Sequence, residues 1–335
     1  MERKLVSIQI VDSLAPIEGA DQIEQARIMG WTVVTKKGEF QVGDRCVFFE
    51  IDSILPQGVP WAEFMRPRNF RVKTVKLRGV LSQGLALPVG ILDGDVPEVG
   101  TDVRERLGVT KFEPVLPDAR EVREVAGGFP TRVPKTDEIR VQSALGVLDE
   151  IRGKEFYVAT KYDGSSATFY RDIEGEFLAC SRNWAVKPGD NKLWTVAEKY
   201  RLPERLPAGY AVQGELCGPG IQKNRLGLTE LDVFMFNVYD VKAGQYLDFE
   251  PMLDFCKELG LKMVPVERVV RGEEAVNFVH TLDGWLEAAR GNYVGTKNRK
   301  EGIVVRPLVG TYSRTLQGRL SFKAINNDFL LKDDG

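Results

Sequence analysis

The first 110 residues contain no long helical window and instead show short strand-like runs separated by turn-forming residues. The runs cover residues 5–11, 31–35, 46–49, 70–77 and 84–88. Turn formers lie between them at residues 18–21, 37–39 and 42–44. Several short strands at this spacing favour a closed or nearly closed β-barrel.

The length and composition limit the class of protein. A chain of 335 residues accommodates about two domains of ordinary size. No apolar stretch approaches the roughly 20 residues that a membrane span requires. The first residues also lack the apolar block of a signal peptide. We therefore expect a cytoplasmic protein that has no membrane partner.

Cysteine and histidine are too scarce for several kinds of site. The four cysteines lie far apart with no C-x-x-C pair, so we expect reduced core residues and no zinc site or disulfide framework. His280 is the only histidine, in a pattern that fits an amphipathic helix. Histidine-dependent triads are thereby excluded. Any chemistry must rest on Lys, Arg, Asp and Glu.

Basic residues are concentrated in one part of the first half. Residues 66–78 contain six basic side chains and no acidic one, although the net charge of the chain is -2. A straight strand would distribute these charges over both faces, so we expect part of the segment to bend or form a loop. The alternative is a solvated edge strand protected by Lys and Arg. The basic residues are Arg66, Arg68, Arg71, Lys73, Lys76 and Arg78.

Residues 113–134 contain several Pro and Gly residues, which predicts a linker or strap.

Residues 135–138 then resemble a helix start, and apolar residues at 141, 145, 148 and 151 predict a helix that stops at Gly153. A strand at 155–160 leads into Lys161-Tyr162-Asp163-Gly164. Alone this tetrapeptide is a weak signal, because a Lys–Asp pair before glycine is also an ordinary hairpin turn.

Five further segments follow this tetrapeptide in a fixed order, at residues 181–183, 213–216, 233–240, 301–307 and 320–326. Together they resemble the motif series of the covalent nucleotidyltransferases, which include ATP- and NAD-dependent ligases and mRNA capping enzymes. The series extends from Thr136 to Lys323 and is far more specific than any of its members. It implies an adenylation domain of antiparallel sheets with flanking helices.

Lysine chemistry sets a physical requirement on such a site. A lysine that attacks the α-phosphorus of ATP must be neutral, yet its ordinary pKa is about 10.4. Desolvation or nearby positive charge must therefore favour the amine. The candidate sources of that charge are Lys323, Arg182 and a bound divalent cation.

The other candidate residues supply oxygen ligands, a stacking surface or phosphate contacts. Carboxylates suit Mg²⁺ directly or through its waters, and the candidates are Asp163, Glu215 and Glu301. Phe236 is the candidate for stacking on adenine, and Arg182 and Arg140 for binding phosphate oxygens.

Each of four candidates has an ordinary structural alternative, and only the joint pattern favours function. Asp163 would cap a turn, Phe236 would fill a core, Glu301 would lie in a solvated turn and Arg140 on an exposed helix. The tryptophans at 184, 194 and 285 are expected to be packing residues.

The order of the domains narrows the resemblance. DNA ligases and capping enzymes place an OB domain after the last motif, but here the barrel comes first. Residues 16–21, 30–31 and 39–44 resemble OB-type barrels. With residues 70–79 and 135–142, the chain is similar to the small ATP-dependent RNA ligases that seal 3′-OH/5′-PO₄ nicks. The expected organisation is α+β, with an OB domain at 1–112, a linker at 113–134 and an adenylation domain at 135–335.

The resemblance implies a role for each matched position. Lys161 is the adenylated nucleophile and Asp163 its motif partner. Glu215 and Glu301 match acidic positions associated with metal and nucleotide, and Phe236 matches the adenine-stacking position. The basic positions are Arg140 for the ATP phosphates, Arg182 in the motif after the nucleophile, and Lys323 in the terminal motif.

The terminal motif departs from its usual K-x-K form, because residues 321–323 read Ser-Phe-Lys. This leaves the position of Lys323 within the motif ambiguous, and Arg319 is the candidate substitute for the missing charge.

The resemblance also implies cofactors and partners. ATP with Mg²⁺ or Mn²⁺ would adenylate the lysine, and the substrate would be nicked RNA or an RNA-containing duplex. The duplex backbone is expected to contact Arg68, Arg71, Lys73, Lys76 and Arg78, and the protein is expected to be a monomer. Two alternatives remain open at this point: a DNA ligase or capping-type enzyme, and an inactive relative that only binds nucleic acid.

Overall fold

The computed structural model describes residues 4–112 and 124–333, which form two compact units. One unit contains residues 4–112, 141–145 and 330–333. The other contains residues 124–140 and 146–329. We name the first the barrel unit and the second, after the adenylation domain that the sequence predicts, the adenylation unit. Residues 113–123 of the predicted linker lie outside the described residues.

The described residues of the barrel unit form short antiparallel strands. Strand β5 lies between β1 and β9, β3 lies between β2 and β4, and the remaining strands pair as β7–β8 and β6–β10. Two apolar clusters fill the unit, one around Val47 and Phe49 and the other around Trp31 and Phe48. The strands are β1 (Val6–Ile10), β2 (Ser13–Pro16), β3 (Ile23–Ile28), β4 (Trp31–Lys36), β5 (Arg45–Phe49), β6 (Ser53–Ile54), β7 (Thr74–Leu77), β8 (Val80–Gln83), β9 (Leu85–Pro88) and β10 (Thr110–Lys111).

The basic segment bends, as the sequence predicted. It begins in a 3₁₀ helix at Pro60–Arg68 and turns at Asn69 and Phe70, which both have positive φ. Only Thr74–Leu77 is a strand, rather than the whole of residues 70–77. The predicted strand starts late because the turn buries Phe70 and Val72 in the core of the unit.

The adenylation unit contains two large sheets. The eight-stranded sheet has the order β11-β16-β15-β14-β17-β18-β19, with β20 parallel to β18. The five-stranded sheet has the order β12-β25-β22-β13-β21, and β23 and β24 form a hairpin. The strands are β11 (Val125–Gly128), β12 (Ile139–Arg140), β13 (Phe156–Lys161), β14 (Ser165–Arg171), β15 (Phe177–Cys180), β16 (Trp184–Val186), β17 (Tyr210–Cys217), β18 (Asp232–Asp240), β19 (Gln245–Tyr246), β20 (Lys262–Met263), β21 (Val266–Val270), β22 (Gly302–Pro307), β23 (Tyr312–Ser313), β24 (Gly318–Arg319) and β25 (Phe322–Ile325).

The described helices are short and flank the sheets. Helix α4 buries Phe249, Met252, Cys256 and Leu259, which recur at helical spacing, and ends at Gly260 with φ +69°. The helices are α1 (Val147–Glu150), α2 (Lys192–Lys199), α3 (Leu202–Arg205), α4 (Phe249–Leu259), α5 (Gly272–Asn277), α6 (Leu282–Ala288) and α7 (Asn327–Asp333), with further 3₁₀ segments at Val89–Ile91 and Val141–Ser143.

The helix predicted from residue 135 to Gly153 is wrong. Ile139 and Arg140 form β12, which pairs in parallel with Phe322 and Lys323 of β25, and only Val147–Glu150 is α-helical. Pairing with a strand from the far end of the chain overrides the local helical spacing. Residues 125–128, within the predicted linker, likewise form a strand, β11, that pairs with β16.

His280 also departs from its predicted helix, since α5 ends at Asn277 and the histidine precedes α6. It packs against the rings of Phe156, Phe278 and Trp285. Neither ring nitrogen has a hydrogen-bond partner within the described ranges. Burial, aided by the positive charge of Arg152, lowers the pKa of His280 to about 4.

Most of the packing expectations are confirmed. The four cysteines are buried and form no disulfide with one another. Trp194 and Trp285 are also buried. Trp184 is the exception, since 45% of its surface is exposed. In the described part of the chain no helix has the length and apolar character needed to cross a membrane.

Candidate active site

The candidate nucleophile lies at the end of β13, which pairs with β22 and β21 in the five-stranded sheet. Strand β13 is buried along its length until Lys161, and its pairing with β22 ends at Lys161 opposite Gly302. The chain then turns through Asp163 and Gly164 into β14. A Cβ at Gly164 would lie 2.4 Å from the carbonyl oxygen of Leu216, so glycine is required by close backbone approach.

Lys161 forms an ion pair with Glu301, the residue before β22. The Nζ and Oε2 atoms are 2.7 Å apart, and both side chains are largely buried. Burial alone would lower the pKa of Lys161. The negative charges of Glu301, and then of Glu215 and Asp163, outweigh this effect and raise the pKa above its ordinary value.

This direction is opposite to the depressed lysine pKa that the sequence led us to expect. The carboxylate charges outweigh those of the basic groups at this site. A neutral Lys161 therefore requires added positive charge beside these carboxylates.

Lys323 and Arg140 are brought to the same site by strand register. They are neighbours on β25 and β12, and Lys323 also lies opposite Val304 of β22. Burial, with the positive charges of Lys161 and Arg140, lowers the pKa of Lys323 to about 7. The register therefore brings Lys161, Lys323 and Arg140 close together, and their roles stay predictions.

The other two predicted acidic residues line the turn after Lys161. Asp163 Oδ2 accepts a hydrogen bond from Arg225 Nε at 2.9 Å, and Glu215 Oε1 accepts one from the Gly164 amide at 3.1 Å. Burial, opposed by Lys161 and reinforced by Glu301, raises the pKa of Glu215 to about 7. The three carboxylates thus concentrate negative charge around one amine.

The arrangement of these carboxylates limits how a metal ion could bind. Within residues 4–112 and 124–333, no three acidic, cysteine or histidine side chains are arranged to hold a metal ion. Mg²⁺ keeps much of its hydration shell in proteins. The buried carboxylate charge therefore suits a hydrated ion contacted through its waters better than a directly ligated one.

Tyr293 connects the turn at Lys161 to Glu301. Its hydroxyl donates to the Lys161 carbonyl oxygen at 3.3 Å. It accepts hydrogen bonds from the amides of Asp163 at 3.0 Å and Glu301 at 3.1 Å. Its ring is buried and lies edge-on to Tyr162, with the ring centroids 5.4 Å apart. No motif in the sequence singles out this residue.

Phe236 lies on β18 beside a buried ion pair. Arg306 Nη1 donates to the Phe236 carbonyl oxygen at 2.9 Å, and its guanidinium carbon is 5.8 Å from the ring centroid. Arg306 Nη2 also bonds Glu138 at 2.7 Å. Burial opposes ionisation of Glu138, but the charge of Arg306 outweighs it and lowers the pKa of that carboxyl.

Arg319, the candidate substitute for a terminal lysine, interacts electrostatically with the Arg306–Glu138 pair. Its Nη1 donates to Asn237 Oδ1 at 2.8 Å, and its guanidinium lies over the ring of Tyr246. Burial, reinforced by the positive charge of Arg306, lowers the pKa of Arg319.

Arg182 is an exposed residue rather than a buried one. Its Nη2 donates to both carboxylate oxygens of Asp137, at 2.8 and 2.9 Å. The neighbouring Asn183 accepts a hydrogen bond from Lys135 at 2.9 Å. These contacts connect the segment after β15 to the segment that precedes β12.

The predicted nucleic-acid-binding residues of the barrel unit differ in exposure. Arg68, Lys76 and Arg78 are exposed, and Lys73 is half-buried. Arg71 is held inside the unit, because it pairs with Asp52 at 2.9 Å and its guanidinium carbon is 3.5 Å from the ring centroid of Phe112. The exposed residues are the ones available for phosphate contacts.

Three residues that contact the predicted site were not predicted from the sequence. Tyr293 lies in a loop eight residues before Glu301, Arg225 in the loop between β17 and β18, and Arg306 inside an apolar strand. Only the last has a signal that could have been used, since a charged residue within the buried run Gly302–Pro307 requires a partner.

Comparison with protein families agrees with the two-part organisation. A model described as an OB-fold domain matches residues 5–89. A model described as RNA ligase matches residues 154–325, which is half of the chain. The predicted α+β fold, with an OB-type barrel in front of the ligase unit, is confirmed. No curated protein sequence matches the chain.

Solved structures of one enzyme resemble the chain over its whole length. Naegleria gruberi RNA ligase with PPi has a TM-score of 0.87 and 35% identity, covering 99% of each chain. A mutant of it with ATP and Mn has a TM-score of 0.87 and 34% identity, over 99% of this chain and 100% of that one. Another mutant, with AMP and Mn, has a TM-score of 0.87 and 35% identity over the same shares. From these matches and the order of its motifs, the chain belongs to the RNA ligase family and is an enzyme.

Proposed function

We propose that this RNA ligase uses ATP to seal 3′-OH/5′-PO₄ breaks through a covalent AMP on Lys161. The preferred breaks are nicks in duplexes whose 3′-OH strand is RNA. The observation that carries the proposal is the partly buried Lys161–Glu301 pair, 2.7 Å between Nζ and Oε2, at the end of β13. A partly buried amine among carboxylates at the motif position is difficult to explain as a stabilising feature alone.

Three bond exchanges make up the proposed reaction. Lys161 Nζ attacks the α-phosphorus of ATP, the N–P bond forms, and pyrophosphate leaves with the electrons of the broken P–O bond. An oxygen of the 5′-phosphate then attacks the adenylate phosphorus and releases the lysine. The 3′-OH finally attacks the activated 5′-phosphorus, which forms the phosphodiester and releases AMP.

The site residues divide these tasks. Glu301 holds the Lys161 amine before the reaction and accepts its proton. Arg140 and Lys323, neighbours in the pairing of β12 with β25, face the phosphates of the nucleotide. Phe236 stacks on adenine and Arg182 binds phosphate oxygens once it exchanges Asp137 for the substrate.

Mg²⁺ or Mn²⁺ is the proposed metal, held by Asp163, Glu215 and Glu301 through its waters. This metal site is supported by the negative charge of these carboxylates, which raises the pKa of Lys161. A divalent cation beside them supplies the positive charge that favours the neutral amine. The Naegleria gruberi enzyme, solved with ATP and Mn, supports the same nucleotide for this chain.

The barrel unit is the proposed RNA-binding part of the protein. OB-type barrels commonly bind nucleic acids, and the exposed basic residues Arg68, Lys76 and Arg78 suit backbone phosphates. Preference for RNA at the 3′-OH side would come from A-form geometry and contacts with the 2′-OH. The monomeric state and cytoplasmic location stay predictions.

A labelled-adenylate assay tests the proposal. The protein is incubated with α-labelled ATP and Mg²⁺ or Mn²⁺ and resolved on a denaturing gel. We expect a labelled band with wild type and with Lys257→Ala, which removes an exposed lysine of α4, and no band with Lys161→Ala. A missing wild-type band, or one that persists in Lys161→Ala, contradicts the proposal.

Substrate competition separates the alternatives. Duplexes with a nick bordered by an RNA or a DNA 3′-OH strand are compared, with ATP, GTP or NAD as the nucleotide. We expect sealing to require ATP and to favour the RNA 3′-OH. Preference for another nucleotide or an all-DNA nick would indicate a DNA ligase or capping-type enzyme. Duplex binding without any adenylate would indicate an inactive relative.

A further inference from the structure

The hydroxyl of Tyr293 has a complete set of hydrogen bonds, all of them to backbone groups of the candidate active site. A phenol has one O–H donor and can accept about two hydrogen bonds. The donor goes to the Lys161 carbonyl oxygen, at 3.3 Å. The two acceptor positions take the amides of Asp163 and Glu301, at 3.0 and 3.1 Å. No other side chain in the described ranges makes hydrogen bonds to all three backbone groups.

These contacts begin where the sheet ends. The pairing of β13 with β22 stops at Lys161 opposite Gly302, so the amides of Asp163 and Glu301 lie beyond the last ladder pair. Buried amides without a partner are costly. Tyr293 satisfies both, and one atom thereby fixes the distance between the Lys161 turn and the residue before β22.

Tyr293 is itself held firmly, which a positioning group requires. Its amide donates to the Asn298 carbonyl oxygen at 3.0 Å, and the Lys300 amide donates to Gly291 at 3.1 Å, which closes the loop. The side chain of Lys300 is buried and bonds both carboxylate oxygens of Glu267 at 2.7 Å. The loop is thus anchored immediately before Glu301.

We propose that Tyr293 is a positioning residue that sets the separation of Lys161 and Glu301 for the adenylation step. This inference rests on the proposed function. In this proposal Tyr293 acts through the backbone of Lys161, Asp163 and Glu301 and contacts neither nucleotide nor metal. Displacement of a reacting group by about 1 Å can cost about 100-fold in rate. Loss of the hydroxyl should therefore reduce the rate of adenylation while the substrate still binds.

Tyr293→Phe is the test variant, because it keeps the ring and removes only the hydroxyl. Tyr200→Phe is the matched control, since the Tyr200 hydroxyl donates to the buried Asp232 carboxylate at 2.6 Å and touches no motif backbone. Tyr293→Phe loses three hydrogen bonds and Tyr200→Phe loses one. The free energy of unfolding of both variants is therefore measured by urea denaturation, so that an effect of position is separated from a loss of stability.

The first measurement needs no substrate. Amide hydrogen exchange is followed by mass spectrometry in peptides that contain Asp163 and Glu301. We expect exchange at both positions to be about 10-fold faster or more in Tyr293→Phe and unchanged in Tyr200→Phe. Unchanged exchange in Tyr293→Phe overturns the inference whatever the enzyme does.

The second measurement is single-turnover adenylation at saturating ATP. We expect the rate constant to fall about 10- to 100-fold in Tyr293→Phe. The final amount of labelled protein and the ATP concentration for half-maximal rate should stay near wild type. A purely structural role would instead lower the final amount and leave the rate constant unchanged, and that result overturns the inference. Absence of adenylate in wild type contradicts the proposed function itself and is recognised separately.

Discussion

Lys161 Nζ and the Glu301 carboxylate are 2.7 Å apart, although 140 positions separate them in the chain. The pair is formed by adjacent strands, since β13 delivers the lysine and β22 follows the glutamate. Its immediate effect is to keep the amine protonated, because the carboxylate charge outweighs burial. The same carboxylate is well placed to take a proton once the charge around it changes. The relationship therefore makes Glu301 the most informative residue to alter.

Replacing Glu301 by Ala should remove adenylation or sealing and leave the fold intact. Its side chain bonds Lys161, while the contact to Tyr293 uses its backbone amide and is kept in the variant. Adenylation is measured with α-labelled ATP, and sealing separately with a pre-adenylated nick. Glu301→Gln is the conservative comparison, and full activity in both variants would contradict the role.

Removing the exposed basic residues of the barrel unit should weaken sealing far more than adenylation. The variant combines Arg68→Gln, Lys76→Gln and Arg78→Asn, with Asn chosen because Arg78 has φ +46°. Each lost phosphate contact should reduce the slope of log affinity against log salt by about 0.7–0.9. Duplex binding is measured by fluorescence anisotropy at several salt concentrations.

The matched control for the basic residues removes equal charge elsewhere on the barrel unit, at the exposed Lys36, Lys37 and Lys111. An equal loss of binding in this control would show that the effect is only one of net charge. Arg71 is left in place because it pairs with Asp52 and stacks on Phe112.

Arg306→Met should strongly destabilise the adenylation unit. The guanidinium is 2% exposed and bonds Glu138, Ser321 and the Phe236 carbonyl oxygen. Its loss leaves the Glu138 carboxylate without its counter-charge, which typically costs about 3–5 kcal/mol. Urea denaturation measures the change. Adding Glu138→Gln should restore part of the stability, and failure to do so would mean that the pair does not couple.

Acid should destabilise the protein in part through His280. Its pKa is lowered to about 4 in the folded chain, from an ordinary value of 6.5. As pH falls through this window, the unfolded chain takes up a proton that the folded chain does not, so stability decreases. Between pH 6.5 and pH 5 the loss is about 1.5 kcal/mol.

His280→Leu isolates this contribution. The ring nitrogens of His280 have no hydrogen-bond partners in the described part of the chain, so an apolar side chain gives up no such bond. We expect the variant to match or exceed wild type at pH 7.5 and to lose less stability by pH 5. The same acid-induced loss in both proteins, measured by urea denaturation, would exclude the histidine as its source.

Several elements could be predicted because their signals are local. Buried runs such as residues 31–35 and 46–49 became β4 and β5 with only small differences at their ends. The bend in the basic segment followed from alternation, since a straight strand cannot present all of its charges on one face. The helix predicted after residue 135 failed, because β12 pairs with β25 from the far end of the chain.

Motif order predicts the site residues, and the tertiary structure adds the distances and burial that order along the chain does not contain. Lys161, Glu301, Lys323 and Arg140 meet through the register of β12, β25, β22 and β13. The sign of the shift in the lysine pKa could not be derived from residue types, since carboxylates and basic groups oppose each other there. Only their burial and positions decide which charge prevails.

The amino-acid sequence alone determined the family and the leading OB-type barrel and made Lys161 the candidate reactive lysine, because these follow from local patterns and from their order along the chain. The tertiary structure decided that Tyr293 bridges the nucleophile turn to Glu301, that Arg225 pairs with Asp163, and that Lys161 is held charged. The physical reason is that hydrogen bonds and charge–charge interactions depend on distance. Strand register and burial, which bring distant segments together, set those distances.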